Sequence, residues 1–171
     1  MEKQDDLESN KYILYSILNE QYASNLLEIK EVIKPINIKP VPFMVPYFKG
    51  MINLRGKIIS VVDLRIKFDS DFKDEKSPGI ILVVENNNFF VGVIVDDLIS
   101  VRSLEESEIQ KNTEMQYSID LKFIEGNFIL NDKLVTILKL SSFISEEELK
   151  AIHEKGHSTE HHVIEKGEVA G

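Results

Sequence analysis

Short apolar runs that alternate with a period of two restrict the fold of this chain more than any other feature of its sequence. The runs are rich in Val, Ile, Phe and Tyr. Such alternation indicates strands, because successive side chains of a strand point to opposite faces. Asn and Gly tolerate positive φ and are typical of tight hairpins. The groups that separate the runs, and that predict the turns, are Asn19-Glu20, Arg55-Gly56, Asn86-Asn87-Asn88 and Asn131-Asp132.

About ten strands are predicted, five on each side of a polar connector near residues 67–78. The pattern favours a mainly all-β fold of two small antiparallel barrels, since a parallel α/β sheet would need long amphipathic helices between its strands. A short capped helix is predicted at Ser145–His153. A second is predicted within Ser103–Gln110, with Ser103 as its cap. The predicted strands are Tyr12–Leu18, Gln21–Leu27, Val32–Asn37, Met51–Leu54, Lys57–Leu64, Gly79–Val84, Phe89–Val95, Leu98–Leu104, Lys122–Leu130 and Lys133–Leu140.

Both ends of the chain are polar, and the folded domain is expected to occupy residues 11–150. Residues 1–10 are acidic, and residues 151–171 combine Glu, His, Gly and Ser with little apolar content. Ordering a residue costs about 1–2 kcal/mol of conformational entropy, which segments of this kind cannot offset by burial. Both ends are therefore predicted to be flexible, and deletion of residues 154–171 should leave the melting temperature nearly unchanged.

Composition and charge argue against several classes of partner. The net charge is −9 and Lys and Arg are not clustered, so a phosphate-binding surface for nucleic acid is not expected. The absence of cysteine excludes disulfides and thiolate ligands, and it fits a reducing cytoplasm. The acidic start, MEKQDDLESN, does not resemble a signal peptide, and no apolar run approaches the ~20 residues that span a bilayer. A soluble protein without membrane insertion is predicted.

Residues suited to catalysis are scarce. All four histidines lie in the predicted tail, which leaves no core histidine for acid–base chemistry. Asp96 and Asp97 are adjacent, but neighbours on a strand point to opposite faces, so both are interpreted as the polar end of an apolar strand. Asp63 ends another strand and receives the same interpretation. No glycine-rich phosphate loop occurs, and therefore no enzymatic activity, catalytic residue or cofactor is predicted.

Three of the histidines have a spacing that suits a metal site. On a helix, His153, His157 and His161 would lie on one face and could bind a metal. Gly156 and Ser158 oppose a stable helix in this region. A flexible segment also provides few outer hydrogen bonds to orient the ligands. A solvated tail without a metal site is the expectation.

Two segments leave alternatives open. Val41–Phe48, VPFMVPYF, is interrupted by proline and carries aromatic side chains and a methionine. It either covers the end of a barrel or forms part of a partner-binding surface, where aromatic residues and Met are enriched. Asn53-Leu54-Arg55-Gly56 places an arginine at a tight corner before an apolar strand. Considered by itself, this corner is typical of a solvated turn.

The run Phe48–Phe68, FKGMINLRGKIISVVDLRIKF, resembles the signature of the CheW family, whose core is similar to GxxNLRGxxxPxxDLR. Leu27–Ile33 resembles the segment that precedes this motif, and Gly79–Val101 resembles the hairpin of the second barrel. The resemblance covers about residues 11–150. Ser60 departs from the family pattern, which usually has Pro at this position, and a local change in strand stiffness is the expected consequence.

The resemblance implies two five-stranded antiparallel β-barrels that share a hydrophobic core and contain no active site. Members of the family are chemotaxis adaptors that bind the regulatory domain of the histidine kinase CheA and the cytoplasmic tips of methyl-accepting chemoreceptors. A cytoplasmic protein associated with receptor arrays at the inner membrane is thereby expected. Matching by motif position implies that the receptor- and kinase-binding residues are Glu31, Gly50, Asn53, Arg55, Gly56, Ile80, Gly92 and Val101.

Other functions remain open at this stage. One is a CheV-like adaptor fragment or a domain like the regulatory domain of the kinase. CheV proteins carry a following receiver domain, and the sequence is expected to end too soon to include one. Another is a stand-alone peptide-binding barrel outside chemotaxis, or a small enzyme. Binding to receptor tips and to kinase would separate a chemotaxis function from a function outside chemotaxis.

Overall fold

The computed structural model describes residues 9–42, 44–73, 77–111 and 119–155. Within these ranges the chain forms ten strands and two α-helices, joined by hairpins and short 3-10 turns. The elements are β1 (Lys11–Ile17), β2 (Glu20–Asn25), β3 (Ile29–Ile33), β4 (Phe48–Leu54), β5 (Lys57–Asp63), α1 (Leu64–Phe68), β6 (Ile80–Asn86), β7 (Phe89–Val95), β8 (Asp97–Ser103), β9 (Ile124–Leu130), β10 (Lys133–Leu138) and α2 (residues 146–155).

The strands form two five-stranded sheets. The first sheet has the order β8-β1-β2-β10-β9, and the second has the order β3-β6-β7-β5-β4. The predicted mainly β fold, with five strands on each side of the connector near residues 67–78, is confirmed. Most neighbours are antiparallel, and each sheet also contains one parallel pair, β2 with β10 and β5 with β7. Across the described ranges, backbone pairing leaves two edge strands in each sheet, so hydrogen bonds do not close either sheet into a ring.

Four hairpins have a two-residue turn in which both residues adopt positive φ. Three of these turns are where the sequence predicts them, at Arg55-Gly56 (φ 51° and 83°), Asn87-Asn88 (43° and 71°) and Asn131-Asp132 (49° and 62°). Paired positive φ values give the turn a twist that matches the twist of the strands. The first hairpin turns at Leu18-Asn19, one residue earlier than predicted, because Glu20 already pairs with β1.

Apolar side chains are buried on both faces of each sheet. In β1, Leu14 packs in a cluster inside the first sheet, whereas Ile13 and Tyr15 face a larger cluster between the sheets. In β7, Ile94 packs in a cluster inside the second sheet, and Val93 faces the larger one. Each sheet therefore has an interior of its own, and the two sheets share the large cluster as a common core, as the resemblance implies.

The C-terminal helix α2 has the predicted cap. The Ser145 hydroxyl accepts the N–H of Glu148 (3.1 Å), and the Ser145 N–H donates to the Glu148 carboxylate (2.8 Å), which satisfies two groups at the helix start. Leu149 and Ile152 are buried in the shared core and dock the helix. None of the helices in the described ranges has the length and apolar character needed to cross a membrane.

The predicted start of the tail at residue 151 is wrong. Residues 151–155 continue α2, because Ile152 is buried in the shared core. His153 packs against Phe89 with 5.0 Å between the ring centroids, so this histidine also belongs to the folded domain. Residues 156–171, including the predicted continuation of the histidine row, lie outside the described residues.

Helix α2 is expected to lose its capping interaction in acid. Burial by itself would raise the pKa of Glu148, but hydrogen bonds from the Ser145 N–H and the Tyr47 hydroxyl outweigh it and lower the pKa below the ordinary value of 4.5. A lowered pKa means that the stabilisation is complete above the ordinary value and disappears as the pH falls through the lowered one. Denaturation of the parent and of Glu148→Gln should therefore differ near neutral pH and converge in acid. An equal difference at both pH values would contradict this expectation.

The predicted helix start at Ser103 is also wrong. Ser103 is the last residue of β8 and pairs with Lys11 of β1, so it continues the sheet. A single 3-10 turn, Glu106–Glu108, follows Glu105, whose N–H donates to the Glu108 carboxylate (2.7 Å). Pairing with a neighbouring strand, which no local pattern reveals, has extended the strand through the predicted cap.

Asp63 is not the solvated end of a strand. Asp63 and Arg65 are both completely buried, and the Arg65 guanidinium binds the Asp63 carboxylate at 2.9 Å and 3.0 Å. Asp63 also caps α1, because its carboxylate accepts the N–H of Arg65 (3.0 Å). The chain changes from strand to helix at Asp63, and this change places the two side chains side by side. Charge buried in a protein interior requires such pairing.

Ser60 is buried on the central part of β5, where the family usually has Pro. Its backbone pairs with Met51 on one side and with Val91 on the other. Serine supplies an N–H for this pairing, which Pro lacks. Its hydroxyl is buried, and no hydrogen-bond partner for it occurs among the described residues.

Replacing Ser60 by alanine should therefore leave the free energy of unfolding unchanged or raise it by about 1 kcal/mol, because an unsatisfied hydroxyl is removed. Urea denaturation of the parent and of Ser60→Ala measures the difference. A loss of stability larger than about 1 kcal/mol would mean that the hydroxyl makes a stabilising hydrogen bond.

Candidate functional site

Within the motif Phe48–Phe68, the hairpin between β4 and β5 reaches the surface. Arg55 and Gly56 both have positive φ, and the Asn53 side chain accepts the Gly56 N–H at 2.9 Å. A Cβ at Gly56 would meet no atom of the described residues within 4 Å, so the glycine is needed for its backbone conformation and not for space. The turn is thus fixed locally, and it holds the Arg55 side chain outside the sheet.

Arg55 forms an ion pair with Glu31. The guanidinium Nη2 of Arg55 donates to Oε1 of Glu31, and the two side chains are 74% and 28% exposed. Glu31 lies in β3 and Arg55 follows β4, which are the two opposite edges of the second sheet. The ion pair therefore bridges the ends of a strongly curved sheet. An exposed pair of this kind contributes about 0–1 kcal/mol to stability. The fold therefore depends little on this ion pair, and the guanidinium can also contact a partner.

An exposed apolar side chain accompanies these polar groups. Ile58 of β5 pairs directly with Asn53 and is 40% exposed. Directly opposite residues on antiparallel strands lie on one face of a sheet. The hairpin therefore presents a guanidinium, an amide and a branched apolar side chain together, a mixture suited to a protein partner. Sequence reasoning missed Ile58, because its position in an apolar strand looks the same as that of a core residue.

Gly50 is implied to be a contact residue, yet it is buried in β4. It has a φ of 138°, and a Cβ there would overlap the backbone of Lys39 and Pro40. Lys39 and Met51 exchange two backbone hydrogen bonds of 2.8 Å across this close approach. Gly50 therefore allows the segment after β3 to lie against β4.

Gly92 is an interior residue, and Ile80 is partly buried. Gly92 is buried in β7, where a Cβ would lie 2.8 Å from Ile81 Cγ2 and 3.4 Å from Val61 Cγ2. Ile80 is partly buried against the shared core. Gly92 therefore shapes the interior of the second sheet, whereas Ile80 keeps part of its side chain at the surface.

Val101 lies apart from the hairpin, in β8 at an edge of the first sheet. It is 53% exposed, and Ile99, two residues earlier on the same strand, is also exposed. The eight implied residues therefore separate into three groups. Glu31, Asn53, Arg55 and Gly56 form one surface, Val101 belongs to a second surface, and the third group consists of the buried Gly50 and Gly92 and the partly buried Ile80.

The described part of the segment Val41–Phe48 packs mainly against the protein. Val41, Met44 and Tyr47 are partly buried against the shared core, while Val45 is exposed. This arrangement favours the reading in which the segment covers the end of a sheet. Phe43 lies outside the described residues.

The described residues contain no group of three His, Cys, Asp or Glu side chains arranged to hold a metal ion. One cluster of charge consists of the buried pair Arg65 and Asp63 together with the partly exposed Asp96, whose Oδ1 lies 3.4 Å from Arg65 Nη1. Its buried groups are paired with one another, which suits a structural role.

Comparison with known proteins gives a consistent result. A family model for the CheW-like domain matches residues 11–148. The chain is 28% identical over 152 residues to the chemotaxis protein CheW of Helicobacter pylori, covering 85% of this chain and 87% of that protein. It is also 28% identical to CheW of Bacillus subtilis, covering 80% and 88%.

A solved structure agrees with the sequence matches. The crystal structure of the scaffolding protein TtCheW from Thermoanaerobacter tengcongensis has a TM-score of 0.71 and 32% identity to this chain, covering 82% of this chain and 90% of that one. Chemotaxis protein CheV3 of Helicobacter pylori is 27% identical over 132 residues, but the match covers only 42% of that protein.

Proposed function

This chain belongs to the CheW family of chemotaxis coupling and scaffold proteins, and we propose that it links methyl-accepting chemoreceptors to the histidine kinase CheA by binding both. The receptor contact is proposed at the cytoplasmic tip of the receptor, and the kinase contact at the regulatory domain of CheA. The family consists of adaptors without catalytic activity, and the proposed role requires no cofactor or metal.

The observation that carries this proposal is the exposed Arg55 on a hairpin of fixed conformation. A guanidinium has five N–H donors in a planar fork, and its ion pair with Glu31 uses Nη2. Because Arg55 is 74% exposed, a partner can reach its remaining donors. Arginine is enriched among the central residues that dominate the binding energy of protein interfaces, and the exposed Ile58 lies on the same hairpin.

A coupling protein needs two surfaces that do not compete. The hairpin surface belongs to the second sheet, and the surface of Ile99 and Val101 belongs to the first sheet. We assign partner binding to these two surfaces, without assigning either one to a particular partner. Contacts of modest strength at both surfaces would reinforce one another in an array, because each bound partner raises the local concentration of the next. On this account the protein is located at receptor arrays.

Replacing Val101 by aspartate tests the second surface. The side chain is 53% exposed, so the variant should fold with little change in stability. A buried, unpaired charge at an interface should weaken binding of one partner by about 10-fold or more and leave binding of the other intact. Titration of the parent and the variant with CheA and with a soluble receptor tip measures both affinities. Unchanged affinity for both partners would remove Val101 from the proposed site.

A further inference from the structure

The Lys67 ammonium lies among aromatic rings. It lies 4.2 Å from the ring centroid of Tyr47, 5.4 Å from that of Phe123 and 5.8 Å from that of Phe143. It donates a hydrogen bond of 2.6 Å to the carbonyl oxygen of Phe143. No ion pair found within the described ranges includes Lys67. The half-buried ammonium is thus stabilised directly by three ring faces and a carbonyl oxygen, where an ion pair would be the usual arrangement.

These contacts join four separate parts of the chain. Lys67 lies in α1, Tyr47 ends the segment before β4, and Phe123 and Phe143 belong to two 3-10 turns. The rings of Phe123 and Phe143 are stacked with 4.3 Å between their centroids. We call residues 44–47 the strap, because they run across the edge of the shared core and lead directly into β4.

A hydrogen bond connects the strap to α2. The Tyr47 hydroxyl donates to Oε1 of Glu148 at 2.9 Å, and Glu148 is also the residue that completes the cap of α2 with Ser145. Burial, together with the bond to Glu148, raises the pKa of Tyr47 to about 12, so the hydroxyl stays protonated as a donor. Glu148 therefore serves the strap and the helix at once.

The local electrostatics make the position of Lys67 sensitive to its neighbours. Burial lowers the pKa of the Lys67 ammonium, and the charge of Glu148 opposes that shift. If Tyr47 moves away, the ammonium loses the ring nearest to it, and if α2 moves away, it loses the favourable charge of Glu148. Movement of either the strap or α2 therefore weakens the contacts that Lys67 makes with the other one.

From these contacts we propose that Lys67 is a latch that couples the strap to α2, so that the two elements open together while both sheets remain folded. The strap continues into β4, and β4 ends at the hairpin of Asn53 and Arg55. A group that displaces α2 would thereby loosen the segment that supports the hairpin. The latch is a property of the unbound protein and does not depend on the proposed partners.

Hydrogen exchange of individual amides in the full chain tests the latch. Phe48 N–H, bonded to Val45 O at 3.0 Å, reports on the strap, and Leu149 N–H, bonded to Ser145 O at 3.0 Å, reports on α2. Amides shared between β6 and β7 serve as the internal reference. In Lys67→Met, both reporters should exchange about 10-fold faster, the size expected on loss of a desolvated cation–π contact, with the reference unchanged.

Lys57→Met is the matched control. The Lys57 ammonium also lies over an aromatic ring, that of Phe90 at 4.2 Å, but this contact involves neither the strap nor α2. The control should leave both reporters unchanged. Acceleration of only one reporter in Lys67→Met, or of neither, would overturn the proposal.

A second variant tests the latch in case Lys67→Met does not fold. Tyr47→Phe keeps the ring over the ammonium and removes only the hydrogen bond to Glu148. It should accelerate exchange at both reporters by a similar, smaller factor. A Leu149 amide that responds alone would show that the strap and the helix open independently, which contradicts the latch.

Discussion

Replacing Arg65 by methionine is expected to lower the free energy of unfolding by about 3–5 kcal/mol, the largest effect of any substitution considered for this chain. The Arg65 side chain is completely buried and holds the equally buried carboxylate of Asp63. Its removal leaves that carboxylate without its counter-charge in the interior. Methionine fills much of the volume, so the loss reports mainly on the charge.

The effect should extend beyond one pair, because Arg65 also connects neighbouring parts of the fold. Nη1 donates to the carbonyl oxygen of Ser77 at 2.9 Å and approaches Asp96 at 3.4 Å. Asp96 in turn accepts the N–H of Leu18, in the first hairpin of the first sheet, at 2.6 Å. The guanidinium therefore supports the connector and the contact between the two sheets together.

Urea denaturation of Arg65→Met beside Lys30→Met measures this effect against a matched control. Lys30 and Glu85 form an ion pair of 3.6 Å at the surface, with both side chains well exposed. Loss of that pair should cost about 0–1 kcal/mol. A similarly small cost for Arg65→Met would contradict the structural role of the buried cluster.

Reversing the charge of Arg55 is expected to have the second large effect, on function and not on stability. Arg55→Glu should change the free energy of unfolding by about 1 kcal/mol or less, because the side chain is exposed on a turn. At a desolvated contact the same reversal should cost about 2–5 kcal/mol of binding. The variant should be folded and should retain one of the two binary interactions, yet fail to couple receptor to kinase.

A charge swap separates the two roles that Arg55 can have. Combining Arg55→Glu with Glu31→Arg restores an ion pair between the sheet edges but reverses the charges that a partner meets. If Arg55 contacts the partner, the double variant should remain inactive in coupling. Recovery of coupling would show that the ion pair acts only within the protein, and unfolding of Arg55→Glu alone would show that the turn is structural.

The parts of the fold set by local chemistry could be predicted from the sequence. Asn87-Asn88 and Asn131-Asp132 adopt the positive φ values that their residue types favour, and Ser145 caps α2 with Glu148. Alternation also indicated buried strands. Long-range pairing is what the sequence did not reveal, since Ser103 is in a strand only because β1 lies beside it.

Burial of individual polar and small residues was harder to predict for the same reason. Asp63 ends an apolar strand, as solvated aspartates often do, and only the turn into α1 shows that Arg65 lies beside it. Gly50 and Gly92 looked like surface residues by motif position, but each allows a close approach by a distant segment. The conformation of the exposed hairpin was easier to predict, because Asn53, Arg55 and Gly56 form one local turn.

Assembly of a three-component complex tests the coupling function most directly. Vesicles carrying a chemoreceptor, purified CheA and this chain are mixed, sedimented and assayed for bound kinase and for autophosphorylation, with the chain omitted in one arm and replaced by Arg55→Glu in another. CheA should sediment with the vesicles and be activated only when the parent chain is present. Sedimentation of CheA that is independent of the chain, or competition between receptor and kinase for it, would contradict the coupling function.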